Sequence, residues 1–261
     1  MNEATHLSRP EQALSARPDL ILLHGWSYHP LIWQPVRARL PADLVVRAPA
    51  LPGHGHSMCE HGPVVSNAHD WLGALFGDPA RADGAVIAGW SLGGLLALAA
   101  VVKGLVRPRA LVMVASLPRF VAASAGEGVG IAAIEEMAAG IRRGESDRVL
   151  RRFDALLRRN LHLAPPARAQ IAAWRTGAVL EPEGLLQGLE WLRETDLCAA
   201  LQSLPLPVTL VLGTDDPLCP AGRGASIAAS SGAALRICAR QGHWLPLTAA
   251  DEVADCLVQT L

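Results

Sequence analysis

Six short apolar runs punctuate the chain, at residues 20–23, 44–46, 85–88, 110–114, 208–212 and 235–238, each bounded by turn-forming residues. A mainly apolar run of this length suits a strand buried on both faces, the condition of a parallel sheet sandwiched between helices. Amphipathic stretches of helical length, 31–40, 68–76, 92–102, 223–229 and 250–261, separate most of these runs. This alternation predicts an α/β protein: βαβ units with right-handed crossovers and a mostly parallel, doubly wound sheet. Between Leu117 and Leu204 the alternation stops, and helical patterns separated by Gly144, Pro165, Pro166 and Pro182 take over with no strand pattern among them. The chain is therefore expected to form a core from residues 1–116 and 205–261, with a helical cap inserted at 117–204. The opening residues up to Pro18 carry little pattern, and no repeat of fixed period is present.

The 261 residues are 51% hydrophobic and 18% charged, enough to bury a large core and far from the composition of a disordered chain. Basic and acidic residues nearly balance, 23 against 24, which argues against a surface built to neutralise nucleic-acid phosphates. Five scattered cysteines (Cys59, Cys198, Cys219, Cys238, Cys256) contain no C-x-x-C pair and read as reduced thiols. The first twenty residues include Glu3, Arg9, Glu11, Arg17 and Asp19 and no apolar core of a secretory signal, so a cytoplasmic location is expected. No residue from Gly84 to Val102 is charged, but Gly89, Ser91, Gly93 and Gly94 interrupt that run, which reads as strand, sharp turn and buried helix rather than a membrane span.

That turn carries the chemistry. Residues 89–93 read Gly-Trp-Ser-Leu-Gly, a G-x-S-x-G pattern between a strand pattern and a helix pattern. Glycines flanking Ser91 fit a turn so tight that side chains there would collide, and such a turn exposes the serine hydroxyl as a nucleophile. It also points the N-terminus of the next helix at the place where an oxyanion would form. After the first strand, His24-Gly25-Trp26 can supply a second backbone N–H beside that of Leu92. Asp215 and Asp216 follow the run 208–212, and His243 follows 235–238. The chain order is thus Ser, Asp, His, with acid and base on loops after late strands, where a parallel sheet presents its active site.

These residues bring out a family resemblance. From Leu20 onward the chain resembles the α/β-hydrolases, and among them it is most similar to the pimeloyl-[acyl-carrier protein] methyl ester esterases of biotin synthesis. The likeness rests on Leu-Leu-His-Gly-Trp at 22–26 with Trp33 downstream, Leu-Pro-Gly-x-Gly-x-Ser at 51–57 and Gly-Trp-Ser-Leu-Gly-Gly at 89–94. It extends to Val-Ala-Ser at 114–116 with Pro118 and Phe120, and to Gly-Leu-Glu-x-Leu at 188–192 with Asp196 and Leu197. The resemblance implies Ser91 as nucleophile, His243 as general base, Asp216 as its orienting carboxylate, and the N–H groups of Trp26 and Leu92 as oxyanion donors. Asp216 is preferred to Asp215 because the family's loop reads G-x-x-D-x-x-x-P, matched by Gly213, Asp216 and Pro220. The loop Trp244-Leu245-Pro246 departs from the family's shorter His-x-Pro and is expected to reshape the pocket wall.

The resemblance also implies a serine carboxylesterase that needs no cofactor and no metal, acting on a substrate tethered to an acidic acyl carrier protein. The enzyme is expected to be a monomer with no nucleic-acid or membrane partner. His54, His56 and His61 have His-x-His spacing but no acidic residue just before His61, so they read as turn histidines and not as a zinc site. Cys219 reads as a small buried side chain. Lys103 is the only lysine among the 23 basic residues, so position matters more than arginine content. On a helix over 148–161, at about 100° per residue, Arg148, Arg151, Arg152, Arg158 and Arg159 share an arc of roughly 120°. Val149, Leu150, Phe153, Leu156 and Leu157 fill the other side. The expected substrate- and carrier-binding residues are Trp26, Phe153, Arg148, Arg152 and Arg159. The rival readings are a broad-specificity esterase, lactonase or C–C hydrolase of the same fold, and a hydrolase-fold binding protein without turnover.

Overall fold

Each of the six apolar runs contributes a strand to one parallel sheet in the computed structural model, which describes residues 19–59, 61–63, 65–76, 78, 82–122, 127–159, 161 and 163–261. The residues before Asp19, whose sequence carries little pattern, lie outside the described set. The strands are β1 (Leu20–Leu23), β2 (Val46–Arg47), β4 (Val86–Trp90), β5 (Ala110–Val114), β7 (Val208–Gly213) and β8 (Ala234–Cys238). Their order is β2-β1-β4-β5-β7-β8, and every neighbouring pair is parallel. A separate antiparallel ladder joins β3 (His54–His56) to β6 (Ala178–Leu180). β1, β4 and β5 are buried at every position, which explains why they read as unbroken apolar runs and not as alternation.

The order fixes where a site can form. From β1 the chain moves outward to β2 and then returns to place β4 on the other side of β1. The carboxyl ends of β1 and β4 therefore flank the point where the winding reverses, where loops diverge and leave a crevice. The helix Leu92–Val102 leaves β4 there. Its residues from Leu92 to Ala100 are all buried, because the sheet covers one side and the helix Pro182–Glu194 packs on it from another.

Between β5 and β7 the described residues form four longer helices, Ile131–Arg142, Ser146–Leu157, Pro165–Thr176 and Pro182–Glu194. Prolines open the last two, where a missing N–H costs nothing and φ is already set for a helix. Indole N–H groups tie this excursion to the sheet side: Trp71 Nε1 donates to Gln187 Oε1 at 2.8 Å and Trp191 Nε1 to the carbonyl of Ala68 at 2.9 Å. Among the described residues no helix is long and apolar enough to cross a membrane.

Four local expectations need correction. The stretch 31–40 is a 3-10 turn (Pro30–Trp33) followed by a short helix (Gln34–Arg37), because Pro35 cannot donate back into a continuous helix. The excursion does contain a strand, β6, too short to show as a pattern and formed only because β3 offers it a partner. His54 and His56 consequently lie on that ladder and are buried, so they are not turn residues. The helix expected over 148–161 ends at Leu157, and Leu161 packs instead against Gly242 of the loop before His243.

The buried histidines give the fold a pH dependence. His54 is pushed down to about 4 by burial, His29 to about 4 by burial and by the neighbouring His56, and burial also lowers His24. In the unfolded chain each titrates near about 6.5, so the unfolded state takes up protons first as the pH falls. Stability is expected to drop between pH 6.5 and 4, by roughly 3 kcal/mol for His54 alone. Urea midpoints taken from pH 7 to 5, above the range of most carboxylates, check this, and a flat midpoint there would contradict it.

Candidate active site

Ser91 sits at the turn from β4 into the helix Leu92–Val102 with φ 55° and ψ −123°, a conformation that costs an L-residue energy and persists only where surroundings enforce it. The enforcement is visible in the packing. A side chain on Gly89 would place its first carbon 2.3 Å from the backbone of Gly93, and one on Gly93 would come within 2.4 Å of the Leu23 carbonyl oxygen. Both glycines are therefore obligatory. Ser91 N–H donates to the carbonyl of Val114 at 2.9 Å, and Ser116 Oγ donates to the carbonyl of Ser91 at 2.7 Å, pinning the turn to the end of β5.

His243 follows β8 and turns its ring into the same crevice, with Nε2 2.8 Å from Ser91 Oγ and Nδ1 2.8 Å from Asp216 Oδ2. The other carboxylate oxygen of Asp216 accepts the N–H groups of Leu218 at 2.8 Å and Cys219 at 3.0 Å. A carboxylate so occupied can only accept, so the imidazole proton belongs on Nδ1 and Nε2 is left to accept from the serine hydroxyl. Trp90 Nε1 donates to the carbonyl of His243 at 2.7 Å and fixes the loop from behind. All three side chains are buried, Ser91 being 5% exposed, so charge developing among them is shielded from bulk water.

Asp215 points elsewhere: it is exposed, and its carboxylate takes the hydroxyl of Thr214 at 3.1 Å. Of the two neighbouring aspartates, only Asp216 reaches the histidine. Asp216, Cys219 and His243 also converge closely enough to suggest a metal donor set. That set does not fit a cation, because the carboxylate and imidazole already bond each other. Burial holds the Cys219 thiol well above its usual range, where it donates to the Ala115 carbonyl at 3.2 Å.

The loop after β1 approaches from the opposite side. A side chain on Gly25 would meet Ser91 Cβ at 3.0 Å, so only glycine lets this backbone lie against the serine. His24 Nε2 accepts the N–H of Leu51 at 2.8 Å, which leaves Nδ1 protonated and donating to the carbonyl of Gly25 at 2.9 Å. That carbonyl belongs to the Gly25–Trp26 peptide, so the bond sets the direction of the Trp26 N–H on its other edge. Leu92 opens its helix, and its N–H has no carbonyl one turn back to bond. His24 as the group orienting this peptide was not foreseen; its place in the His-Gly pair was the available signal.

Of the residues expected to contact substrate or carrier, Trp26 is buried, donates from Nε1 to the carbonyl of Leu185 at 2.8 Å and meets Phe153 edge-on at 5.0 Å between ring centres. Phe153 in turn lines a groove of about 160 Å³ with Arg148 and Arg152. Both arginines are exposed and paired within the excursion, Arg148 with Glu145 at 3.1 Å and Arg152 with Glu136 at 3.2 Å. Arg159 lies beyond the helix end, exposed and outside the residues lining that groove. The Trp244 loop turns inward: its indole is buried and donates to Tyr28 Oη at 2.8 Å.

A buried serine, histidine and carboxylate at the winding reversal of a parallel sheet, with the serine on a glycine-enforced elbow, are the marks of one class of fold. The chain belongs to the alpha/beta hydrolase family, whose model matches residues 20–256. Within it, the chain is similar to the pimeloyl-[acyl-carrier protein] methyl ester esterase of Aromatoleum aromaticum, 37% identical over 220 residues that cover 78% of this chain and 82% of that one. It is also similar to the enzyme of the same name from Stenotrophomonas maltophilia strain K279a, 35% identical over 246 residues covering 92% and 91% of the two chains. Among solved structures, the enol-lactonase of Burkholderia xenovorans LB400 superposes with a TM-score of 0.75 over 95% of this chain and 92% of that one at 20% identity, a likeness of fold.

Proposed function

We propose that the chain is a serine carboxylesterase that hydrolyses the methyl ester of a pimeloyl chain carried on acyl carrier protein, in biotin synthesis, releasing methanol. The observation that carries this reading is the buried relay from Ser91 Oγ through His243 to Asp216, each link 2.8 Å, together with esterase relatives that match most of the chain. Ser91 Oγ attacks the ester carbonyl as His243 Nε2 takes its proton, and Asp216 stabilises the imidazolium. The N–H groups of Trp26 and Leu92 hold the tetrahedral oxyanion, each worth roughly 2.7–4 kcal/mol of barrier. Collapse breaks the bond to the methoxy oxygen, which leaves as methanol with the proton from Nε2. Water then repeats the sequence on the acyl-serine and frees the carboxylate.

In this reading residues 117–204 are a cap over the crevice, and the carrier rests on the face of Arg148, Arg152 and Arg159. Phe153 supports that arrangement, since it touches both the arginine groove and Trp26 beside the serine. The arginines' present pairs are solvent-exposed and weak enough to be exchanged for a partner's carboxylates. The enzyme works as a cytoplasmic monomer without cofactor or metal. Supplying the chain to cells that lack the esterase step of biotin synthesis tests the assignment: growth without biotin is expected. Failure to grow, with a small ester still hydrolysed, would point to the broader esterase reading.

The arginine face has its own test. Changing Arg148, Arg152 and Arg159 to Glu is expected to raise the apparent KM for the carrier-linked ester by about tenfold or more, about 1.4 kcal/mol. The salt dependence should flatten, because charge steering is what salt screens. Hydrolysis of a small soluble ester should stay within about twofold of wild type. Equal losses on both substrates would mean damage to the fold, and no loss on the carrier-linked one would return these residues to an ordinary solvated face.

A further inference from the structure

Between the excursion and the loop after β1 lies a set of buried polar groups that the hydrolytic steps above do not use. Arg175, on the helix Pro165–Thr176, has a side chain only 16% exposed. Its Nη1 donates to the carbonyl of Ser27, and its Nη2 donates to Ser27 Oγ at 3.1 Å. The same guanidinium is gripped by Asp154 of the helix Ser146–Leu157, with Nε bonded to Oδ2 at 2.8 Å and Nη2 to Oδ1 at 2.6 Å. Its carbon lies 4.1 Å from the centre of the Tyr28 ring. The Tyr28 hydroxyl donates to Asp154 Oδ1 at 3.2 Å and accepts from Trp244 Nε1.

Two loops of the site end in this cluster. Ser27 directly follows Trp26, whose N–H is the donor from the β1 side, and Trp244 directly follows His243. Ser27 has φ 61°, left-handed backbone that a residue with a Cβ leaves unless something holds it. Arg175 bonds both its carbonyl and its hydroxyl. A buried ion pair is a poor device for stability, because removing two charges from water offsets most of their attraction. It is a good device for holding a strained loop in one geometry.

We propose that Arg175, neutralised by Asp154, is a positioning residue: it holds Ser27 in its left-handed conformation and thereby aims the Trp26 N–H at the oxyanion. Turnover then depends on how two helices of the excursion pack against the β1 loop, even for an ester that never touches them. The inference rests on the reading of Ser91 as the nucleophile.

The test uses the full chain carrying Arg175→Gln, Arg175→Lys or Asp154→Asn, with a small soluble ester and a trifluoromethyl ketone whose adduct on serine bears a tetrahedral oxyanion. Arg175→Gln is expected to lower kcat by about 10²- to 10³-fold, the effect of losing one oxyanion donor, with KM within about threefold of wild type. Arg175→Lys keeps the charge but not the fork and should fall between, and Asp154→Asn should lose about tenfold. Across the three, binding of the ketone should weaken by the same factor as kcat/KM, a proportionality that a merely structural residue would not produce. If Arg175→Gln does not fold, Arg175→Lys and Asp154→Asn carry the comparison. In Arg175→Ala, added guanidinium should restore kcat where ammonium does not, entering through the adjoining cleft of about 340 Å³ that Arg175 and Asp154 line. Unchanged kcat and ketone affinity per folded molecule would overturn the inference. Turnover surviving in Ser91→Ala would overturn the underlying reading instead, so the two failures are distinct.

Discussion

Replacing Ser91 with alanine is expected to lower kcat on any ester by roughly 10⁴- to 10⁶-fold and to abolish labelling by a fluorophosphonate. The expectation follows from the geometry: Ser91 Oγ is the group at hydrogen-bond distance from an imidazole whose other nitrogen is committed to a carboxylate. The fold should survive. The hydroxyl contributes one hydrogen bond, net about 1 kcal/mol, which in a chain of this size moves Tm by about 2–4 °C. Alanine meets the same backbone constraint as serine, because Gly89 and Gly93 rather than residue 91 permit the close approach. More than a few per cent of wild-type turnover in a well-folded Ser91→Ala would remove the serine from its role and with it the esterase mechanism.

Asp216→Asn should cost about 10⁴-fold in kcat, whereas Asp215→Asn should cost less than about threefold. In the wild-type site Asp216 Oδ1 accepts two backbone N–H groups and Oδ2 faces His243 Nδ1. An asparagine would keep its carbonyl on the backbone donors and turn its amide NH₂ toward Nδ1. Nδ1 must then accept, the proton moves to Nε2, and the ring can no longer take the serine's proton. Asp215 is exposed and bonds only Thr214 Oγ1 among these loops' side chains, so its neutralisation leaves the imidazole untouched. Kinetics of the two variants on one soluble ester, with Tm measured alongside, separate them, and reversed losses would assign the orienting role to Asp215.

The two aspartates also mark the boundary of what the chain reveals before folding. Residue order shows an acid after the run 208–212, and family spacing favours Asp216, but two adjacent carboxylates on one loop are chemically identical on paper. The loop's path separates them: the Leu218 and Cys219 amides capture one carboxylate, and the other faces solvent. The same holds for the 178–180 segment, whose three residues form a strand because β3 passes alongside. The buried histidines are another case, since His24, His29 and His54 owe their lowered proton affinity to surroundings contributed by distant parts of the chain.

What the sequence determined by itself is whatever depends on local composition and spacing. Short apolar runs dictate strands, buried on both faces in β1, β4 and β5 but not at the sheet edges, where β2 is half-buried and β8 largely exposed, and the helix Leu92–Val102 follows from eleven uncharged residues after a glycine-flanked turn. Gly89 specifies the elbow locally, because its steric requirement is set by the Gly93 backbone within five consecutive residues, whereas Gly93 is required by the Leu23 carbonyl of a neighbouring strand. Tertiary structure alone decided which residues meet across long separations: that the Leu218 and Cys219 amides hold the Asp216 carboxylate against His243, that His24 orients the Trp26 peptide, and that Arg175 reaches Ser27, 148 positions earlier, while Asp154 neutralises it. The reason is that a hydrogen bond needs a heavy-atom distance near about 3 Å and a direction, and neither is encoded by residue type or by period. Both exist only after the sheet and its helices have packed.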